Sequence, residues 1–457
     1  MLTRRLFAHH LVASGGEPPQ GEKMETCFCA PIENSDFTDL LNAKQLGRLV
    51  VIMSDFYQHG GIATLHHLGN PDYKKLEREL NSLSPAIALV LPCHARDLES
   101  PALAAIIDEL KLTDFIRHVV VGLDGADRAQ WQLARSLFNK LPQKTAILWN
   151  DGPRISQILR QLEAAGMDPG ERGKGRNMRL CFGYALRATD ASFVAVHDCD
   201  IVNYRREMLA RLCFPVAHPE MAFEVSKGFS ARFSDQLNGR VMRLLISPLL
   251  RAMEDLDGFQ STLGSLQNFR YPISGEVCLH RRVVQEIRFP SDWGVETGMM
   301  ADVFRLCSPH RVCQVDIAET YDHKHQDLSE KDPLGGLNKM ACDVTLCLLR
   351  TISSGLTTPV SINPEKLVTN YLRLAREMMR FYAADARINL LQYDAALEDQ
   401  TATMFASAID RAISIFVTSP SQPPGAPAWS EIEARLPGAT TAIAEAVSLD
   451  EAQAARD

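Results

Sequence analysis

Residues 193–200 read FVAVHDCD, an apolar run that ends in two aspartates separated by one residue. The first five residues have the composition of a strand that is buried on both faces of a sheet. Ligands of open α/β sheets bind beyond the carboxyl ends of the strands, where Asp198 and Asp200 would lie. If the chain turns just after Asp198, the two carboxylates can flank one hard divalent cation and its pyrophosphate. Solvated aspartates in a strand-end turn are the alternative interpretation, because short acidic patterns recur by chance.

Three more apolar runs precede this stretch, and helix-like segments separate them. The runs are IALVL at 87–91, HVVVG at 118–122 and TAILW at 145–149. The helix-like segments are 98–111, 127–141, 153–165 and 177–187. Strands that alternate with helices predict an α/β fold with a mostly parallel sheet.

The chain around this region divides into three parts. A mixed stretch beyond residue 200 ends in a predicted strand at 312–317, and apolar residues recur at helical spacing over 364–391. This spacing predicts a helical C-terminal appendage. We expect an N-terminal extension of unknown role over 1–84, an α/β domain over 85–345 and a helical region over 346–457.

Composition narrows the class of protein. The 457 residues include 48 Lys and Arg against 56 Asp and Glu, a formal charge of −8, and they contain no basic block. We therefore expect neither nucleic-acid nor anionic-membrane binding. The 11 cysteines contain no CxxC pair, and no apolar run reaches the roughly 18 residues of a membrane span. These features predict reduced thiols in a cytoplasmic protein.

Two further groups of residues have the chemistry of a nucleotide-sugar site. Lys174, flanked by glycines at the start of a predicted helix, offers a phosphate its charge and backbone N–H groups, although a flexible surface turn explains the same pattern. Glu276, Trp293 and Glu296 lie in glycine-containing loops, where an aromatic ring can stack on a sugar and carboxylates can accept from its hydroxyls. His323 or His325 could add a metal ligand, yet most of the 13 histidines are expected to be unspecialised.

A polar stretch before an apolar helix suits a small anionic acceptor. Its candidate residues are Arg232, Asp235, Asn238, Gly239 and Arg240. Arginine binds carboxylates and phosphates with two parallel hydrogen bonds. A helix-capping region with solvated arginines is the alternative interpretation.

Six motifs, in this order, resemble those of GT-A glycosyltransferases, and more narrowly those of the glucosyl-3-phosphoglycerate synthase and mannosylglycerate synthase group. They are LVLPCHA at 89–95, GKG at 173–175, DCD at 198–200, NGRVMRLLISPLL at 238–250, PISGEVCLHRR at 272–282 and SDWGVETGMMAD at 291–302. The resemblance covers roughly residues 85 to 345, and it implies a Rossmann-like GT-A domain that carries the helical appendage.

The resemblance also implies roles for individual residues. Donor binding falls to Pro92, Asp97, Asp124, Lys174, Asp198, Asp200 and Trp293. The implied metal ligands are Asp198, Asp200 and His323. The implied catalytic residues are Asp200, Lys174, Glu276 and Glu296. The acceptor falls to the loop that contains Gly239 and Arg240. Two departures from the phosphoglycerate enzymes are the run His94-Ala95-Arg96-Asp97 at the nucleotide strand and Met242 in place of a hydroxyl residue. The SDWG segment at 291–294 resembles the mannosylglycerate branch more than the phosphoglycerate branch.

The implied activity is a retaining transfer of a hexose, with glucose favoured, from a nucleotide sugar to the 2-hydroxyl of 3-phosphoglycerate or glycerate. UDP-glucose is the favoured donor and GDP-mannose the second candidate, with Mg²⁺ or Mn²⁺ as the metal and a homodimer as the assembly. One alternative is a mannosyltransferase that makes mannosylglycerate or its phosphate. Another is a nucleotide-sugar binding protein without turnover. A glycoside hydrolase, which also uses paired carboxylates, ranks lower because it needs no phosphate-binding loop.

Overall fold

An eight-stranded sheet runs through the part of the chain that the structure describes. This structure is a computed structural model, and it describes residues 58, 60–69, 72–322, 332 and 335–456. The strands are β1 (Ala63–Leu65), β2 (Ile87–His94), β3 (His118–Asp124), β4 (Lys144–Trp149), β5 (Phe193–Val196), β6 (Val225–Ser230), β7 (Val277–His280) and β8 (Val312–Ala318). Their order across the sheet is β1-β8-β6-β7-β5-β2-β3-β4, and β7 runs antiparallel to both of its neighbours.

Helices connect and cover these strands. In the domain they are α1 (Tyr73–Leu83), α2 (Pro101–Leu110), α3 (Arg128–Phe138), α4 (Pro153–Ala164), α5 (Lys174–Ala188), α6 (Arg206–Ala217), α7 (Ser247–Ala252), α8 (Phe259–Thr262), α9 (Arg281–Glu286) and α10 (Val295–Leu306). A π-helix, Val241–Ile246, leads into α7. The four apolar runs thus form β2 to β5, and the four predicted helices between them form α2 to α5.

Both faces of the sheet are buried, as the continuous apolar runs predicted. Along β3, Val120 belongs to one hydrophobic cluster, whereas Val119 and Val121 belong to a second cluster on the opposite face. Successive side chains of a strand point to opposite faces, so a strand covered on both sides needs apolar residues at every position. This explains why β3 has no alternation of polar and apolar residues.

The C-terminal region is helical, as predicted. Its helices are α11 (Gly336–Ser354), α12 (Pro364–Ile388), α13 (Ala395–Thr418), α14 (Trp429–Arg435) and α15 (Ala439–Ala454). Trp429 anchors this region on α5, where its indole Nε1 donates to the carbonyl of Arg179 over 2.8 Å. Gly183 makes room for the ring, because a Cβ there would lie 2.3 Å from the Trp429 ring. Together these observations confirm an α/β fold with a helical appendage.

The part of the chain from residue 58 onward forms one compact unit. Within it, β1 lies in the predicted N-terminal extension and pairs in parallel with β8. Residues 1–57 of that extension lie outside the described residues, and the domain boundaries at 84 and 345 stay predictions. Among the described helices, none combines the length and apolar character needed to cross a membrane.

Candidate functional site

A cavity of about 560 Å³ opens at the carboxyl ends of β2, β3 and β5. Parallel strands bring their ends to one edge of the sheet, so residues far apart in sequence meet there. The lining of the cavity includes Pro92, Asp97, Asp124, Lys174, Asp198, Asp200, Arg232, Asn238, Gly239, Arg240, Trp293 and Glu296. Twelve of the predicted site residues therefore surround a single cavity.

Asp198 lines this cavity, two residues after β5 ends at Val196. Its carboxylate packs against Gly275, where an added Cβ would be 2.3 Å from Asp198 Oδ2. Any side chain at position 275 would therefore displace the carboxylate. This close approach gives a physical reason for the glycine in the PISGE motif.

Lys174 lies between two carboxylates. Its Nζ is 2.5 Å from Asp198 Oδ1 and 2.7 Å from Glu296 Oε1. Burial alone would lower the pKa of the Lys174 ammonium, but the charges of Asp198 and Glu296 raise it above its usual value. The lysine is held as a cation that neutralises these two carboxylates. The predicted contact with a phosphate stays a prediction.

The start of α5 is fixed by close packing. Gly175 approaches Pro290 so closely that a Cβ would lie 2.1 Å from the Pro290 carbonyl oxygen. Ser291 extends this contact, since its Oγ accepts from the backbone N–H of Glu171 over 3.1 Å. The glycines around Lys174 thus bring the helix against the 290–291 segment rather than form a free surface turn.

Asp200 is the carboxylate of the DCD motif that lines the cavity without an ion pair to any described residue. Among the described residues, none donates a hydrogen bond to its carboxylate. Burial and then the neighbouring charge of Asp198 raise the pKa of Asp200 to about 7. Such a site favours the arrival of positive charge, and carboxylate oxygens are the ligands that Mg²⁺ and Mn²⁺ prefer. The residues present therefore fit a divalent cation.

The other metal candidates lie outside the described residues. Both His323 and His325 belong to the segment 323–331, so the prediction of a histidine ligand stays a prediction. Within the described residues, no group of three or more His, Cys, Asp or Glu side chains forms a complete metal site.

Arg232 enters the cavity between two tyrosine rings. Its guanidinium carbon is 4.2 Å from the ring centroids of both Tyr271 and Tyr321. Behind the guanidinium lies Glu276, which is buried, with 1% of its surface exposed. Its carboxylate accepts a hydrogen bond from the Tyr321 hydroxyl over 2.6 Å and lies 3.8 Å from an Arg232 nitrogen. The aromatic rings and the carboxylate fix the guanidinium in one place. Glu276 itself does not line the cavity.

The loop before the π-helix, with the first residue of that helix, forms another wall of the cavity. Residues 236–241 all line the cavity, and Gly239 has φ +70°, which favours glycine. No described residue forms an ion pair with Arg240, which lines the wall beside Gly239. Asp235, by contrast, is exposed and binds Gln392: its carbonyl accepts over 2.8 Å and its carboxylate over 3.2 Å. The structure does not place Asp235 with the other acceptor candidates.

The far end of the cavity lies at β3. The Asp124 carboxylate accepts from the Asn150 side chain over 2.7 Å, and burial raises the pKa of Asp124. Pro92 and Asp97 continue this end of the lining. His94, of the departing run, lies against Gly125, which has φ +71°.

Several lining residues were missed by the sequence analysis. They include Cys93, Arg172, Asn177, Cys199, Tyr271, Ile273, Leu337 and Met340. Asn177 could have been predicted, because it lies one helical turn after Lys174 and begins the helix that was predicted over 177–187. Leu337 and Met340 belong to α11 in the helical region, and no local pattern relates them to the sheet edge.

Comparison with known proteins gives a consistent result. The glucosyl-3-phosphoglycerate synthase of Persephonella marina is 37% identical to this chain over 400 residues, which cover 87% of the chain and 99% of that protein. The glucosyl-3-phosphoglycerate synthase of Methanococcoides burtonii is 31% identical over 403 residues, covering 87% and 98%.

Among solved structures, a Mycobacterium tuberculosis glucosyl-3-phosphoglycerate synthase was crystallised with Mn²⁺, uridine-diphosphate-glucose and phosphoglyceric acid. It has 22% sequence identity and a TM-score of 0.48, and the match covers 64% of this chain and 88% of that one. No protein-family model matches the chain.

Proposed function

Because the chain belongs to the glucosyl-3-phosphoglycerate synthase family, we propose that it transfers the glucosyl group of UDP-glucose to the 2-hydroxyl of 3-phosphoglycerate. Membership makes the protein a hexosyltransferase and confirms the GT-A prediction. One observation carries the proposal beyond the family name. The acidic DCD motif, Lys174 and the loop with Arg240 all line one cavity, which leaves room for donor and acceptor side by side.

The donor occupies the side of the cavity at the ends of β2, β3 and β5. Its nucleotide lies along Pro92, Asp97 and Asp124, and its diphosphate lies toward Asp198 and Asp200. This orientation follows from charge, because a divalent cation is required before two phosphates can approach a pair of carboxylates. The predicted role of Trp293, at the same cavity, is contact with the sugar ring.

Asp200 would hold Mg²⁺ or Mn²⁺, together with Asp198 and the predicted ligand His323. When bound, the metal ion supplies Lewis-acid stabilisation of the negative charge that develops on the departing diphosphate. Lys174 contributes by fixing the Asp198 carboxylate and by offsetting the charge of Glu296. The protein thus holds its acidic groups in place before the substrates bind.

The acceptor occupies the side formed by residues 236–241. The Arg240 guanidinium supplies a cation for the phosphate or the carboxylate of 3-phosphoglycerate, and Arg232 supplies a second one in a fixed position. Both arginines line the cavity, and two cations favour an acceptor with two anionic groups over one with a single carboxylate. This favours 3-phosphoglycerate over glycerate.

The reaction breaks the bond between glucose C1 and the diphosphate oxygen and forms a bond from C1 to the acceptor O2. The proton of the 2-hydroxyl passes to the departing diphosphate, so no side-chain base is needed, and direct attack by the acceptor on C1 requires no side-chain nucleophile. Attack on the face that the diphosphate leaves retains the configuration at C1. Glu296 lines the cavity and serves as a hydrogen-bond acceptor for a glucose hydroxyl. Glu276, buried behind Arg232, accepts from Tyr321 and helps to hold the groups that face the substrate.

A product assay by mass spectrometry tests the proposal. The protein is incubated with UDP-glucose or GDP-mannose, and with 3-phosphoglycerate or glycerate, in Mg²⁺, Mn²⁺ or chelator. We expect metal-dependent formation of glucosyl-3-phosphoglycerate, with the α-anomer seen by NMR. A mannosylated product would favour the mannosyltransferase alternative, and a β-anomer would contradict retention. Nucleotide-sugar binding without consumption of any acceptor would contradict the proposed substrates.

We also propose that the enzyme acts as a cytoplasmic homodimer. Light scattering of the purified protein tests the assembly. A single species with the mass of one chain would contradict it.

A further inference from the structure

A buried ion pair joins the acceptor loop to the helical region. Arg243, in the π-helix, and Glu398, in α13, are 9% and 6% exposed. The Arg243 guanidinium contacts both carboxylate oxygens of Glu398, at 2.6 Å and 2.8 Å. The Arg243 guanidinium also lies over the ring of Tyr382 in α12, with its carbon 5.0 Å from the ring centroid. Fork-shaped pairing of this kind fixes the orientation of the guanidinium as well as its position.

The same guanidinium holds two carbonyl groups of the loop. Its Nε donates to the carbonyl of Asn238 over 2.9 Å, and its Nη2 donates to the carbonyl of Leu237 over 3.1 Å. Both residues line the cavity, and the next two along the chain are Gly239 and Arg240. The backbone that presents Arg240 is therefore tied to a side chain whose partner lies 155 residues downstream.

A second contact repeats this connection. Gln392, just before α13, donates its backbone N–H to the carbonyl of Asp235 over 2.8 Å, and Gln236 forms an isolated β-bridge with Gln392. Glu398 itself lies in the first turn of α13, where the helix dipole favours a carboxylate. The helical region thus contacts the loop at both ends of the segment 235–238.

We propose that Arg243 and Glu398 are positioning residues through which the helical region sets the shape of the acceptor-binding loop. They touch neither substrate and act through the carbonyls of Leu237 and Asn238. Loss of their pairing raises the KM for the acceptor and leaves the donor site, at the other side of the cavity, unchanged. This inference rests on the proposed function, which assigns the acceptor to the loop.

The test compares Glu398→Gln with the wild-type enzyme in initial-rate measurements with both substrates. Glutamine has the shape of glutamate but not its charge, and its amide group opposes the guanidinium. We expect the KM for 3-phosphoglycerate to rise about tenfold or more, because one charge-assisted hydrogen bond is lost. The KM for UDP-glucose and kcat should stay within about threefold of the wild-type values. Arg243→Lys, which cannot span the carboxylate and two carbonyls, is expected to behave alike.

Glu431→Gln is the matched control. Glu431 also links the helical region to the domain, through its ion pair with Arg288, but this pair is exposed and far along the chain from the loop. We expect its KM values to equal those of the wild type. Glu398→Asp keeps the charge at a shorter reach, so it serves if Glu398→Gln does not fold, with an intermediate rise in the acceptor KM.

Hydrogen exchange separates this inference from the proposed function. Faster exchange of the backbone amides of residues 236–241 in Glu398→Gln, with unchanged exchange around residues 198–200, supports the positioning role even if 3-phosphoglycerate proves not to be the acceptor. Equal rises in both KM values, or an unchanged loop together with an unchanged acceptor KM, would overturn it. Absence of transfer by the wild type would contradict the proposed function alone.

Discussion

The two walls of the cavity are built in different ways. The donor wall consists of strand ends and the first turn of α5, and its charged groups pair with one another: Lys174 with Asp198 and Glu296. The acceptor wall is a loop that leads into the π-helix at Val241, and residues from the helical region contact this loop. Backbone geometry fixes the first wall, whereas contacts between distant side chains fix the second.

This difference predicts how each wall responds to substitution. A group at the end of a strand cannot move away from its neighbours, so its loss changes charge in place and affects the chemical step. A loop held by side chains can change shape when one of them is lost, so substrate affinity changes first. The following predictions, ordered by expected size, test this contrast.

The largest effect is expected for Asp200→Asn. The substitution keeps the shape of the side chain but removes the charge that attracts the metal ion, so kcat/KM should fall by about 10³-fold, the loss expected when transition-state charge is left unstabilised. Initial rates over a Mn²⁺ titration measure it. Asp108→Asn is the control, because Asp108 is an exposed partner of Lys111 on α2. Metal-dependent transfer at the wild-type rate would contradict the assignment.

Removal of the donor-wall cation should have the next largest effect. In Lys174→Met the carboxylates of Asp198 and Glu296 lose the cation that they share. We therefore expect the free energy of unfolding to fall by about 3 kcal/mol and kcat to fall by about 10²-fold. Chemical denaturation and steady-state kinetics measure the two effects. Lys111→Met, in an exposed pair, should change stability by about 1 kcal/mol or less. A stable, fully active Lys174→Met enzyme would show that the pairing has no role.

A smaller and more selective effect is expected on the acceptor wall. Arg240→Gln removes a cation that the described residues do not neutralise, so the KM for 3-phosphoglycerate should rise about tenfold while the KM for UDP-glucose stays constant. Arg376→Gln, an exposed arginine of α12 that pairs with Asp399, is the control. A rise in the donor KM instead would place the diphosphate, not the acceptor, at Arg240.

The smallest effect concerns stability and pH beside the donor wall. Burial and then the charge of Asp343 raise the pKa of Asp292 to about 6. The folded protein then binds more protons than the unfolded chain between about pH 4 and pH 6, so this group costs stability as pH rises through that window. The free energy of unfolding of Asp292→Asn should equal that of the wild type near pH 4. Its advantage over the wild type should then grow as the pH rises to 6. Urea unfolding at several pH values measures this, and a constant offset would contradict it.

The donor wall was largely predictable from the sequence. Apolar runs locate strands, and a polar residue directly after such a run lies at the edge of the sheet where ligands bind. This placed Asp198 and Asp200 at the cavity, whereas Asp124 was predicted from the family resemblance. The partner of Lys174 was not predictable, because nothing local shows that α10 brings Glu296 to the end of β5.

The acceptor wall was predictable only in part. The polar stretch and its resemblance to a known motif located Arg232, Asn238 and Arg240, but they assigned Asp235 a role that its contacts with Gln392 do not support. The pairing of Arg243 with Glu398 joins segments 155 residues apart, and neither residue differs locally from any solvated charge. Such contacts become visible only once the helical region is folded onto the domain.

The most direct test is the structure of the enzyme with both substrate sites filled. Crystals grown with Mn²⁺, UDP and 3-phosphoglycerate give the metal position from its anomalous signal and the acceptor position from the density. We predict a metal peak bonded to an Asp200 carboxylate oxygen, with UDP along Asp124, and 3-phosphoglycerate against Arg240 and the 236–241 loop. Acceptor density away from this loop, or a metal ion that does not contact Asp200, would contradict the account.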